Sequence, residues 1–295
     1  MTTVGIDFGE GQVTAVAADD SGQILARATR PVKGDLTAAA RSALREVRRP
    51  AADPDAVGVK IPFQEDELSS ALAAVVSEET GAVPVPIREG HALVLAETWC
   101  GAASGSKDVI AFAIGEHVTA GITVAGTLLR GVNGYAGAVA WLALNPVERE
   151  DYRRHGGLEA EVAAAGIVRR LVWRVKSGDR SAVVDRVNGD LARLTADDVL
   201  SAARAGDGVC ISVVRDTAKY VGMAVANLAT IVDPECIVLG GTLASSSDLM
   251  LEAIRTEYSR RLRPAQGERI RLVSSTLGIE AGALGAARAA LLEHR

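Results

Sequence analysis

Apolar positions recur with two periods along this chain, and the periods alternate. "TTVGIDFG", "QVTAVAAD" and "QILARATR" carry the strand period, the last two joined by the turn "DDSG". Asp35–Arg49 follows with Leu36, Ala39, Ala40, Leu44 and Val47 on one face and Asp35 as N-cap, which predicts a helix. "AVGVKIP" reads as a buried strand, "EDELSSALAAVVSEETG" as an amphipathic helix closed by Gly81, "AVPVPI" as a strand and "EGHALVLAETWCGAA" as a helix.

The second half repeats the plan. "DVIAFAIG" and "TAGITVAG" read as strands before the short "TLLRG", and Leu158–Val175 as a helical region. Thr195, with Asp198 three residues on, predicts a capping-box variant, and Arg215–Val232 a long buried helix. "CIVLGG" and "RIRLVSS" are expected strands, "SSDLMLEAIRTEYSRRL" and "EAGALGAARAALLEH" helices. Strands then helices, twice over, with a glycine turn after a strand in each half, predict an α/β fold of two lobes facing a cleft. A length of 295 residues suits that division, because single cores stop growing near ~250–300 residues.

Composition narrows the function. Hydrophobic residues at 48% and charged residues at 23% are ordinary for a globular protein, and a formal charge of −5 argues against a nucleic-acid surface. No apolar run reaches membrane length and the first strand begins at once, so neither a membrane partner nor a signal peptide is expected. Cys100, Cys210 and Cys236 are odd in number, dispersed and set among apolar residues. They read as buried free thiols of a cytoplasmic protein.

Several stretches together resemble one family. "AKYVGMAVANLATIVDPECIVLGGTLA" is similar to the long helix, "DP" turn and adenosine-loop strand of the ROK family, bacterial sugar kinases and sugar-responsive repressors of the actin/hexokinase fold. "LLRGVNGYAGAVAWL" resembles the family's RGxxGxAGExGH segment, "HGGLEA" the end of its zinc loop and "LGIEAGALGAARAAL" its C-terminal helix. The resemblance covers nearly the whole chain, and an N-terminal helix-turn-helix extension of the repressor kind is not expected. It implies two actin-like (ribonuclease H-like) lobes around a central cleft, 1–117 and 118–279. The helix at 280–295 is expected to return to the first lobe, and the protein to form a homodimer.

The resemblance also says which residues to inspect. In kinases of this fold, glycine turns cradle the ATP phosphates, a strand carboxylate organises Mg²⁺ and a second carboxylate takes the proton of the sugar hydroxyl. Asp7 stands at the strand carboxylate, and we read it as a site residue rather than a structural aspartate. Glu89, preceded by Arg88 in "REGHALVLAE", stands where the family segment NDANAAALAE carries its base. Glu89 is a candidate base, displaced by one methylene, and Arg88 is a candidate partner that keeps it ionised. The cofactor-binding candidates are Gly9, Glu10 and Gly11, Gly115 and Glu116, and Gly240 and Gly241. The substrate candidates are Arg88, His91, Asn133 and Glu159.

Several motifs depart from the family pattern. The phosphate turns DxGGTK and GTGxGGG appear as "DFGEGQ" and "GEHVTAG", with His117 at a family glycine, and bring the carboxylates of Glu10 and Glu116 toward the expected triphosphate. At ~6 Å and an effective dielectric of about 20, each such repulsion costs about 3 kcal/mol. ATP and Mg²⁺ binding is therefore expected to be weak or lost, unless both side chains turn to solvent. The ExGH sugar contacts appear as "AVAW", with Ala138 and Trp141. At the zinc-loop cysteines stand Glu150, Tyr152 and Gly157, so no structural zinc is expected, and packing around Trp141, Leu142 and Leu144 is expected to hold the loop instead.

Three functions follow from this reading. The first is a homologue without ordinary hexokinase activity that binds a small ligand in the cleft or acts through a partner. The second is an ATP-dependent kinase of an altered sugar-like substrate with Glu89 as base. The third is a redirected hydrolase or transferase using Glu10, Glu89 and Glu116 with His91 or His117.

Overall fold

The computed structural model describes residues 1–9, 11–48, 54–61 and 67–294, the side chains of 67–70 excepted. The chain divides into two compact units, one of residues 1–111, 120–137 and 275–295, the other of 112–119 and 138–274.

Strands β1 (Thr3–Gly9), β2 (Gln12–Ala18) and β3 (Ile24–Pro31) form an antiparallel meander. Helix α1 (Leu36–Arg48) starts where Asp35 Oδ1 accepts from the Ala38 amide at 3.0 Å. Strand β4 (Ala56–Ile61) then lies parallel to β1, and β5 (Val85–Arg88), reached through α2 (Glu67–Thr80), parallel to β4. The order β3-β2-β1-β4-β5 makes β1 and β4 interior strands, which is why they are buried almost throughout. Helix α3 (Glu89–Cys100) leaves directly from β5.

The second sheet has the order β10-β9-β6-β7-β8. Its strands β6 (Val109–Ile114), β7 (Val118–Val124) and β8 (Thr127–Leu128) precede α4 (Glu150–His155), α5 (Gly157–Val162), α6 (Ala164–Lys176), α7 (Val183–Arg186), α8 (Ala196–Arg204) and α9 (Gly208–Val232). Strand β9 (Cys236–Gly241), helices α10 (Thr242–Ser245), α11 (Ser247–Arg261) and α12 (Pro264–Gly267), strand β10 (Arg271–Ser274) and α13 (Ala281–His294) complete the chain. Both five-stranded sheets are mixed: β9 and β10 pair in parallel, β7 and β8 antiparallel.

The expected helical region Leu158–Val175 forms as α5 and α6, separated at Ala163, which is extended where the Ala164 amide bonds to the Gly115 carbonyl at 3.1 Å. One expected boundary moves. Helix α9 begins well before Arg215, because Asp207 caps it by accepting from the amides of Val209 and Cys210 at 3.1 and 2.9 Å. The Thr195–Asp198 capping box is formed in full.

Helix α13 packs on β1, β4 and α3 within the first unit. Gly5 and Gly58 are register partners on these strands, and a Cβ on either would overlap the backbone of Ala283 or Ala286. The missing side chains let the helix backbone settle on the sheet. Cys100 is half-buried, Cys210 and Cys236 are buried, and none of the three forms a disulfide. Among the described residues no helix is long and apolar enough to cross a membrane.

Candidate functional site

Asp7 and Lys60 are opposite one another in the parallel β1–β4 register, so their side chains leave the same face of the sheet. That face is also the one on which Gly5 and Gly58 receive α13, since residues two apart share a side. The Lys60 ammonium lies 2.6 Å from Asp7 Oδ1 and 3.5 Å from Oε1 of Glu89, the first residue of α3. A side chain at Gly282, in the first turn of α13, would collide with Asp7 Oδ2 and crowd Lys60 Cδ, so this glycine makes room for the pair. Asp7 and Lys60 are buried, while the Glu89 side chain is 48% exposed.

Burial pushes the Asp7 carboxyl above its usual value, against the pull of Lys60. Burial also works against the Lys60 ammonium. The Asp7 and Glu89 carboxylates outweigh it and hold the lysine above its ordinary value. Lys60 therefore carries its charge at neutral pH, and it is the cation that reaches Glu89.

Arg88 and His91 act on a neighbouring loop of the same unit. Arg88 Nη1 donates to the Gly134 carbonyl at 2.7 Å, and its guanidinium lies 4.9 Å from the centre of the Tyr135 ring. His91 Nε2 is 3.1 Å from the Ala136 carbonyl, where it must be the donor. Burial lowers the His91 pKa, with Arg130 and Arg88 acting in the same direction, so this ring is neutral at pH 7. Asn133 is exposed on the loop. Gly9 ends β1 and Gly11 adopts a positive φ of 71° before β2, while Glu10 lies outside the described residues.

The second unit carries the other candidates. The Gly115 amide bonds to the His117 carbonyl at 2.9 Å, closing a tight turn on which Glu116 is exposed. Glu159, from the first turn of α5, grips that turn. Its Oε2 accepts from the Val118 amide at 3.0 Å and its Oε1 lies 3.2 Å from His117 Nδ1. Gly240 and Gly241 end β9, with Gly241 at a φ of 62° pressed against the Ile114 carbonyl, where a Cβ would not fit. Glu159 and His117 are thus brought together, as are Asp7 and Glu89 through Lys60.

The family model for the ROK family matches residues 67–293. The chain belongs to the ROK family. A ROK relative described as a glucokinase, from Halalkalibacterium halodurans, is 32% identical over 212 residues, which is 71% of this chain and 64% of that protein. A xylose repressor from Caldicellulosiruptor bescii is 29% identical over 72% of this chain and 53% of its own length. The chain thus spans less than two thirds of either relative. A solved structure, a ROK family glucokinase from Streptomyces griseus in complex with glucose and AMPPNP, superposes with a TM-score of 0.80 at 23% identity, covering 99% of this chain and 100% of that one. The fold is the actin-like two-lobed α/β fold of ROK proteins, and the chain is a homologue of ROK sugar kinases and repressors.

The side chains at the positions that by resemblance would hold zinc and organise magnesium make other contacts here. At the zinc loop Trp141 is 57% exposed, Glu150 pairs with Arg154, and the Tyr152 hydroxyl donates to Glu161. The Trp141 side chain therefore adds little packing, while Leu142 and Leu144 are half-buried and Gly156 packs closely on the Ala140 carbonyl. A polar network also ties the loop. Buried Glu161 receives Arg149 at 3.1 Å and Arg170 at 2.5 Å, and Asp151 receives Arg149 and Arg169. Asp7, which by resemblance would organise magnesium, is matched by the Lys60 ammonium. Among the described residues no group of three or more His, Cys, Asp or Glu side chains is disposed to hold a metal ion.

Lys60 and Glu161 are the site residues that sequence reasoning missed. Lys60 is a lone charge inside the apolar run "AVGVKIP", and that is the signal that was available. A lysine in a strand buried on both faces needs a partner.

Proposed function

We propose that this ROK protein is a sugar-kinase homologue without ordinary hexokinase activity that holds a small ligand other than a free hexose. One observation carries the reading. Glu159, the group that by resemblance would grip sugar hydroxyls, has both carboxylate oxygens engaged by the protein itself, at His117 and the Val118 amide. A hexose arriving there would have to displace these bonds, and recognition built on hydrogen bonds loses discrimination when its groups are engaged elsewhere. Ala138 and Trp141, at the other sugar contacts, present no carboxylate or imidazole to replace it. In this reading ATP and Mg²⁺ binding is weak or lost, the site carries no structural zinc, and the chain works as a cytoplasmic homodimer without nucleic acid.

The test is a coupled assay of ADP release with glucose and a panel of hexoses. A thermal-shift screen with nucleotides, sugars and sugar phosphates accompanies it. The reading expects no hexose-dependent turnover and a shift with a non-hexose ligand. Glucose phosphorylation at about 1 s⁻¹ or faster, the range of working kinases, would end it.

A second reading is favoured by Glu89, whose carboxylate is half exposed on the first turn of α3 within 3.5 Å of Lys60. Such a group is placed to accept a proton from a substrate hydroxyl in an ATP-dependent kinase of an altered sugar-like substrate. The Streptomyces griseus glucokinase, solved with glucose and AMPPNP, keeps this reading in play. Nucleotide turnover dependent on a non-hexose alcohol, and lost in Glu89→Gln, would select it.

A further inference from the structure

We infer that Lys60 is a built-in cation that takes the place of a divalent metal between Asp7 and Glu89, and so decides that this carboxylate pair binds no metal of its own.

The geometry assigns the role. Two carboxylates from β1 and the start of α3 face one position, and the ammonium of Lys60 occupies it at 2.6 and 3.5 Å. A divalent cation bound to Asp7 at a metal–oxygen distance of about 2.1 Å would sit beside the ammonium and meet its charge directly. Lys60 has no easy way out. It stands inside β4, flanked by β1 and β5, and its side chain is 11% exposed. The strand register holds it opposite Asp7, and Gly282 leaves the space its stem needs. Helix α13 supplies no charge at that glycine, and among the described residues the cluster consists of two carboxylates and one ammonium. The ammonium removes one of the two negative charges that would otherwise draw in a metal ion.

This goes beyond the proposed function and does not depend on it. Hexose phosphorylation by the native protein would sink that reading and leave the inference standing. Metal binding at Asp7 without hexose turnover would do the reverse.

The experiment is a titration of the full-length protein with Mn²⁺ alone, read by electron paramagnetic resonance of the free ion, for native protein, Lys60→Met, Lys60→Gln and Lys60→Arg. Native protein and Lys60→Arg should show no saturable site dependent on Asp7. Lys60→Met should gain one saturable Mn²⁺ site per chain that the native protein lacks. If Lys60→Met does not fold, Lys60→Gln, which keeps a hydrogen-bond donor toward Asp7, should show the gain. Saturable Mn²⁺ binding by the native protein that disappears in Asp7→Asn overturns the inference. So does a folded neutral variant whose Mn²⁺ affinity equals that of the native chain.

Discussion

The side chains of Asp7 and Lys60 meet at 2.6 Å across two parallel strands whose register pairs the two residues directly. Both are buried, so each depends on the other to offset its loss of water. Replacing Asp7 by Asn alone leaves a buried ammonium short of a partner and should cost about 3–5 kcal/mol. The double variant Asp7→Asn/Lys60→Met should cost clearly less than the sum of the singles, because the two residues share one interaction. Urea unfolding of the four proteins checks this, and additive losses would show that the pair is not coupled.

The same pair sets an alkaline limit. Lys60 holds its proton more tightly folded than unfolded, above the ordinary value of 10.5. Its contribution is complete below that value, where both states are charged, and is lost as pH rises through the folded value. Native protein should therefore lose stability above about pH 10.5 more steeply than Lys60→Met. Parallel slopes in denaturant midpoints across that window would contradict the assignment.

Glu161 should act as the staple of the loop that carries zinc elsewhere in the family. It is buried and accepts from Arg149, Arg170 and Tyr152, and burial together with Glu161 pushes the Tyr152 phenol well above its usual value. Glu161→Ala, which leaves these donors unmatched, should cost about 3–5 kcal/mol. A strong zinc chelator should leave the melting temperature of the native protein unchanged. A chelator-induced drop would restore the metal.

The capping box of α8 is a local test. Thr195 Oγ1 accepts from the Asp198 amide at 3.2 Å, and an Asp198 side-chain oxygen receives the Thr195 amide at 2.9 Å. Thr195→Ala should lower stability by about 1 kcal/mol with little effect elsewhere.

The thiols should be silent in the native state. Cys210 is buried, and burial pushes its thiol up to about 11. Cys236 is fully buried. At about pH 8, a range in which an ordinary cysteine reacts readily, both should resist a thiol reagent until denaturant is added. Rapid modification of Cys210 in folded protein would show that its surroundings open.

The sequence by itself determined the alternation of strands and helices, because side-chain periodicity is a local property and each element carries its own pattern. It also determined the Thr195 cap, whose partners lie three residues apart, and the family, whose motifs are contiguous. It marked Asp7, Glu89, Arg88, His91 and Glu159 as residues to inspect. What each of them touches was decided by tertiary structure. Lys60 meets Asp7 only through the β1–β4 register, and Glu89 joins them only because α3 begins where β5 ends. Glu159 reaches the Gly115–Val118 turn from α5, far along the chain. Glu161 gathers its arginines from the loop before α4 and from α6. A buried charge must find its partner, and sequence shows the need for one, but strand register and helix placement choose which residue answers it.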